Sequence, residues 1–239
     1  MILRRFMKHV SDQNWFAVGL DVLVVITGIF LGLQVSEWNE DRKKEQQERD
    51  YIERLVTEMD VSILSNSAQL VLGLTGLKGI AKAHAMLRSG DLGDHNRLEF
   101  EEAFQNSDIF ASIQPVDTVL SEMVASGRVE LISNPSLRAA ITAYDAQINR
   151  IRISDKGHFE LFLGIRKSFH QQLSLPIDYD AGELLIATSN EDIKNNNTLT
   201  GDLSFMHEFM GVQLGILENF INNSKDLHAK LQKYQKEMQ

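Results

Sequence analysis

The sequence predicts an all-α protein, with an N-terminal transmembrane helix that continues into a bundle of long amphipathic helices. Three observations carry that expectation. Only three of the 239 residues are proline, and the strong helix formers Leu, Glu, Gln, Lys and Ala are abundant. Two long stretches repeat apolar residues at strict four-three spacing, the mark of a helix face packed against others. Residues 16–35 form an apolar run broken by one acid, Asp21.

Composition narrows the function classes. The net charge of -9 argues against a nucleic-acid partner, because affinity for phosphates comes from clustered Lys and Arg. With no cysteine, a disulfide framework and a thiolate metal site are both excluded. The length suits one large domain or two small ones.

The first element is the apolar run. Its 20 residues span roughly 30 Å as a helix, the thickness of a bilayer core. Thirteen of the 20 are Leu, Ile, Val or Phe, and together they favour insertion by roughly 4 to 8 kcal/mol. One central Asp would cost about 2.5 to 3.5 kcal/mol, and Asp21 lies nearer one end, so the apolar sum wins. Trp15 and Trp38 bracket the run as interfacial aromatics do. A cleaved signal peptide is the rival reading. It requires small residues before the cut, and Gln34-Val35-Ser36-Glu37 is a poor match. A buried soluble helix fits badly with charged flanks on both sides. Arg4, Arg5 and Lys8 precede the run, and the positive-inside rule places them in the cytoplasm. The expected organisation is a cytoplasmic tail over 1–14, a transmembrane helix over 15–38 and a periplasmic stalk and bundle over 39–239. Such a tail is too short to fold alone.

Within the run, Gly28 and Gly32 fall within about 20° of Asp21 around the helix, and Ser36 continues the small-residue series. Small residues four apart let two helices approach closely in lipid, and an acid on their face points at a partner. The alternative is that Asp21 snorkels to the headgroups and the glycines are incidental.

Past the run, Glu40 with Lys44, Glu45 with Arg49 and Asp50 with Arg54 are acid-then-base pairs that support an exposed helical stalk. A seam follows through Ile52, Val56, Met59, Ile63, Asn66, Leu70, Gly73, Leu77, Ile80, His84 and Leu87 without a slip in spacing. Ser89-Gly90 and Gly93 suggest its end. Gly73, Gly76 and Gly79 match no phosphate loop and imply either close packing or a kink.

A short helix is expected over 97–106, and another from Pro115 to a C-cap at Gly127, with an extended link over 128–132. Asn134 followed by Pro135 is a strong helix start. The helix it opens has its own seam, Leu137, Ile141, Tyr144, Ile148, Ile151, Asp155, His158, Phe162, Ile165 and Phe169, and ends by Pro176. Residues 174–201 read as irregular, with a short helix near 182–187 and a turn at Asn195–Asn197. A last helix over 202–236 presents Leu203, Met206, Met210, Leu214, Leu217, Ile221 and Leu231.

Asn14-Trp15, Ala17, Asp21 and the run from Gly28 to Glu40, with Arg42, resemble the N-terminal signature of a family of uncharacterised bacterial single-pass inner-membrane proteins. Val119-Leu120-Ser121, Ser126-Gly127-Arg128, Leu131-Ile132, Asn134-Pro135 and Leu137-Arg138 are similar to that family's middle region. The resemblance implies a membrane anchor with a helical domain outside it. It implies no catalytic residue.

Four residues interrupt the apolar seams: Asn66 and His84 in one, Asp155 and His158 in the other. Aligned, they would make a buried polar layer able to bind a small ligand, sense pH or hold a metal. Unaligned, they lie at ends and wet edges of the bundle. No catalytic motif is complete. His207-Glu208 lacks the second His of HExxH, since position 211 is Gly, and Ser126-Gly127 lacks the GxSxG elbow. Met206 and Met210 fit a core better than a copper site. The expectation is therefore a non-enzymatic protein without cofactor or metal. Its partners would be the membrane and a membrane or periplasmic protein, or a second copy. The alternative is a periplasmic ligand binder or enzyme built around Asp155 and His158.

Overall fold

The computed structural model describes the backbone of residues 15–174, 177–178, 183–184 and 186–238. The side chains of residues 15–19 and Asp21, and of the residues between 175 and 185, lie outside the description. Six α-helices follow in order: α1 (Trp15–Ser89), α2 (Arg97–Asn106), α3 (Thr118–Ala125), α4 (Pro135–Leu173), α5 (Asn190–Lys194) and α6 (Asn197–Glu237). A 3-10 turn, Arg128–Leu131, links α3 to α4. Two strands of two residues, β1 (Ile177–Asp178) and β2 (Glu183–Leu184), pair antiparallel between α4 and α5. The all-α expectation holds, and a long apolar helix at the N-terminal end leads into the others.

The chain divides into two compact units, Met1–Asp50 and Tyr51–Gln239. In the first, the apolar residues from Val22 to Trp38 are all exposed. The charged stretch behind them is stitched locally, although not by the expected pairs. Lys44 reaches Asp41 at 3.7 Å, and Gln46 bridges Arg49 and Asp50 at 3.2 and 2.8 Å. Arg54, at the start of the second unit, is drawn instead to Glu122 at 2.7 Å.

In the second unit α4 and α6 are antiparallel partners. As positions on α4 rise through Tyr144, His158 and Ser168, their hydrogen-bond partners on α6 fall through Ser224, Gln213 and Asp202. The start of α4 is as expected: the Asn134 side chain accepts the Leu137 N–H at 3.0 Å, with Pro135 in the first turn. Gly127 takes the left-handed conformation (φ 70°) that ends α3.

Four boundaries differ from expectation. Helix α3 begins at Thr118 rather than Pro115, because the residues before it are held out of helix by side chains of neighbouring helices, Asn66 on Gln114 and Asp155 on Ile113. Residues 128–131 coil into a 3-10 turn rather than an extended link. The short helix of the irregular region lies at Asn190–Lys194, where the Ser189 hydroxyl caps the Asp192 N–H. Helix α6 starts at Asn197, capped by Asn196, whose side chain accepts the Leu199 N–H at 2.9 Å. Pro176 lies outside the described residues.

The glycine series on α1 produces close packing, and the helix continues unbroken through it. The chain from Ala103 to Leu120 runs antiparallel alongside α1, pressed into a trough that Gly73, Gly76 and Gly79 create. A Cβ on Gly79 would stand 2.6 Å from the Ala103 carbonyl oxygen and 2.6 Å from Asn106 Cβ. One on Gly76 would stand 3.0 Å from the Ile109 carbonyl, and one on Gly73 2.6 Å from Ala111 Cβ. Backbone lies against backbone here, so a methyl group has nowhere to go.

Gly79→Ala should therefore lower stability by about 1–3 kcal/mol through overpacking. Gly164→Ala, at a helical position with no atom within 4 Å, should raise it by about 0.5–1 kcal/mol. Thermal melts of the two variants followed by circular dichroism measure both effects.

Candidate functional site

The buried apolar side chains fall into two clusters. One gathers Ile52 and Met59 of α1, Ile141 to Ile151 of α4 and Leu214 to Leu231 of α6. The other gathers Ile80 to Leu87, Phe100 and Phe104 of α2, Phe162 to Leu173, and Leu199 to Met210. Every long helix changes character between them. On α1 the boundary residue is Asn66; on α4 it is Asp155 and His158; on α6 it is Gln213.

These four residues form one hydrogen-bonded plane around the chain segment 111–114. Asn66, wholly buried, donates to the Gln114 carbonyl at 2.8 Å and accepts the Gln114 N–H at 2.9 Å. That two-point contact is what a neighbouring strand would supply. Asp155 accepts the Ser112 hydroxyl at 2.6 Å and the Ile113 N–H at 3.1 Å. The Gln213 amide nitrogen donates to Asp155 at 2.8 Å and to the Ala111 carbonyl at 3.1 Å. With its nitrogen so committed, the Gln213 oxygen accepts from His158 Nδ1 at 2.6 Å, which fixes the tautomer of that ring. Phe209 packs edge-on against the imidazole.

The physical reason for the layer is the backbone it surrounds. An irregular segment packed against a helical bundle carries N–H and C=O groups that no helix or sheet pairs, and leaving a buried one unpaired costs about 1–3 kcal/mol. The polar side chains answer them one by one.

A second set of contacts holds the next stretch. Asp117 sits at the N-cap of α3 but makes no backbone capping bond, because both its oxygens take Arg152 at 2.7 Å. The cap comes instead from α1: the buried Glu58 carboxylate accepts the N–H groups of Val119 at 2.6 Å and Leu120 at 3.1 Å. Burial pushes the Glu58 carboxyl above its ordinary 4.5, and the two backbone donors offset part of that cost. At the far end of α3, Glu122 takes Tyr51 at 2.6 Å and Arg54 at 2.7 Å, and Arg128 bonds the Tyr51 hydroxyl. Those hydrogen bonds, the one from Arg54 first, hold the Glu122 carboxyl below its usual range.

Three of the four expected layer residues, Asn66, Asp155 and His158, are thus brought together. His84 is not among them. It lies 18 positions beyond Asn66 on α1, roughly 27 Å along the helix, half-buried. Burial, then Arg88 and His207 nearby, hold its pKa below the ordinary value. Gln213 was missed in the sequence because Leu214 beside it also fits an apolar seam. The spacing Met206, Met210, Gln213, Leu217 is the four-three pattern that picks it out.

An open cavity of about 440 Å³ borders the layer, lined by Ser112, Ile113, Arg152, Asp155, Lys156 and Phe159. Asp155 faces it with its oxygens already taken. Among the described residues no group of three or more His, Asp or Glu converges to hold a metal ion. In the first unit, Gly28 and Gly32 are open, with no atom within 4 Å of a Cβ placed on either, and Ser36 is exposed. The Asp21 side chain lies outside the described residues. No protein-family model, curated protein or solved structure matches the chain.

Asn66→Ala should remove both bonds to Gln114 and cost about 1–3 kcal/mol, with the first protease cleavage appearing within 107–117 while α4 and α6 stay intact. The raised Glu58 pKa means that the folded state holds this proton more tightly than the unfolded chain does. Its favourable contribution is full below pH 4.5 and is lost as pH rises through the folded pKa. Thermal melts from pH 4.5 upward to neutrality should therefore show wild type losing stability relative to Glu58→Gln.

Proposed function

We propose that the chain is a single-pass membrane protein whose helical bundle serves as a binding, scaffolding or sensory accessory module. The observation that carries this reading is the state of the apolar run. It is long and apolar enough to cross a bilayer, and none of its 18-residue window is buried inside the protein. A core helix of the same composition would be covered by its neighbours. Here Leu31, Leu33 and Val35 remain more than half exposed, so lipid is the environment that suits them.

The orientation rests on Arg4, Arg5 and Lys8 before the run, which favour a cytoplasmic N-terminus and a bundle in the periplasm of a bacterial inner membrane. The resemblance of the N-terminal signature to bacterial single-pass proteins supports the same location. The face of Asp21, Gly28, Gly32 and Ser36 is the proposed contact between spans. No atom lies within 4 Å of a Cβ placed on Gly28 or Gly32, which leaves room for a neighbour at both glycines.

A non-enzymatic role fits the polar layer. Each oxygen of Asp155 is engaged by the protein itself, and His158 is tied to Gln213. The hydrogen bonds of Asp155 and Gln213 hold segment 111–114, which is the work of a structural group. The competing reading, a small-ligand or catalytic centre at Asp155 and His158, draws its support from the adjoining cavity and from the Nε2 lone pair that the fixed tautomer leaves on His158.

Carbonate washing of membranes should leave the full-length chain in the pellet, and a C-terminal alkaline phosphatase fusion should be active in the periplasm. Release by carbonate, or activity confined to a cytosolic reporter, removes the proposal. In a membrane two-hybrid assay, Asp21→Ala and Gly28→Leu should each weaken association, and unchanged signals remove the span interface.

A further inference from the structure

Helix α1 carries a second stripe that the bundle does not use. Thr57, Val61, Leu64, Ala68, Val71 and Thr75 follow the same four-three spacing as the inner seam and are all exposed, and the stripe ends before Lys78. Val61 and Ile63 stand for the two stripes. They are two positions apart, about 200° around the helix, so the stripes lie on opposite sides. Leu64 is 74% exposed, Val71 64% and Val61 49%, and Leu72 and Leu74 widen the apolar face. The Thr57 and Thr75 hydroxyls donate to the carbonyls of Glu53 and Val71, which turns their hydrogen-bonding capacity back onto the helix.

Charge tells what covers this face. From Val61 to Leu77 there is no Asp, Glu, Lys, Arg or His, in a chain 24% charged. Parallel, in-register pairing of two identical helices sets each residue opposite its own copy, so any charge on the seam meets itself and repels. An uncharged seam is what self-pairing requires, while a different partner could tolerate charges of the opposite sign. A helix that lies on a lipid surface carries a basic polar face beside its apolar one, and residues 61–77 hold no charge at all.

We propose that the outer face of α1, centred on Leu64, Ala68 and Val71, pairs with the same face of a second copy as a parallel two-stranded coil. The parallel direction rests on the membrane-anchored reading, since anchors in one bilayer point their bundles the same way. The seam itself lies wholly within the bundle.

The absence of native cysteine makes the test direct. Leu64→Cys and Val71→Cys are introduced singly into the full chain, with Ile153→Cys, 79% exposed on α4, as the reference. Mild oxidation in native membranes should link Leu64→Cys to itself, and Val71→Cys to itself, roughly tenfold faster than Ile153→Cys, as held proximity raises effective concentration. Linking at both positions demands parallel register, because an antiparallel pair matches like residues only at its centre. The linking should persist in a Gly28→Leu background, which separates this seam from the proposed span contact. If carbonate frees the chain while both positions still link, the anchored reading falls and the coil stands. Linking no faster than at Ile153→Cys, or adducts to a different protein in place of the dimer, overturns the proposal.

Discussion

The structure depends on the unpaired backbone of residues 111–114. A helical bundle pairs its own main chain internally, helix by helix. Here a non-helical segment lies against the helices, with Ala111 and Ile113 buried and Gln114 exposed, and its amides and carbonyls need partners from elsewhere. Asn66, Asp155 and Gln213, one from each long helix, supply them. The cost of meeting that need is a polar plane through an otherwise apolar interior, and the hydrophobic side chains on either side form separate clusters. The plane also fixes register. Sliding α6 by one residue would put Val212 or Leu214 in place of Gln213, and sliding α1 or α4 would put a Ser or Lys where Asn66 or Asp155 stands, so the backbone each serves would lose its fitted partner.

Much of this was legible in the sequence, for identifiable reasons. Four-three spacing marked the inner faces of α1, α4 and α6, and the Asn134-Pro135 pair marked the start of α4 to the residue. Asn66, Asp155 and His158 stood out because they break an apolar pattern. Their purpose was not legible, since it depends on a loop whose own sequence, Ala-Ser-Ile-Gln, carries no signal of being buried. His84 broke the same pattern and joined nothing, so a break in a seam locates a polar residue without locating its partner. The start of α3 was misplaced because its cap is Glu58, far away in sequence. Local rules see Asp117 and the proline before it; they cannot see a carboxylate arriving from another helix.

Helix α1 changes its surroundings along its length. Residues 22–38 present an apolar surface without protein cover. A charged stretch follows, laced by contacts three and four residues apart. From Tyr51 onward it gives one side to the bundle core and the glycine trough, and between Val61 and Leu77 it leaves an uncharged side to solvent. Sequence periodicity is the same on both of these sides. Only the packing tells which side the bundle itself consumes.

The wiring of segment 111–114 also sets an order of assembly. Its partners lie 42 to 102 positions away along the chain, whereas α1, α4 and α6 close bonds four residues apart. Contacts between such distant positions form only after the intervening chain has been ordered. On a ribosome the segment emerges well before Gln213 does, and its carbonyl at Ala111 must stay hydrated until α6 has been made and docked. Quality control acting on a nascent copy would therefore meet the Ala111 carbonyl before its Gln213 partner has arrived.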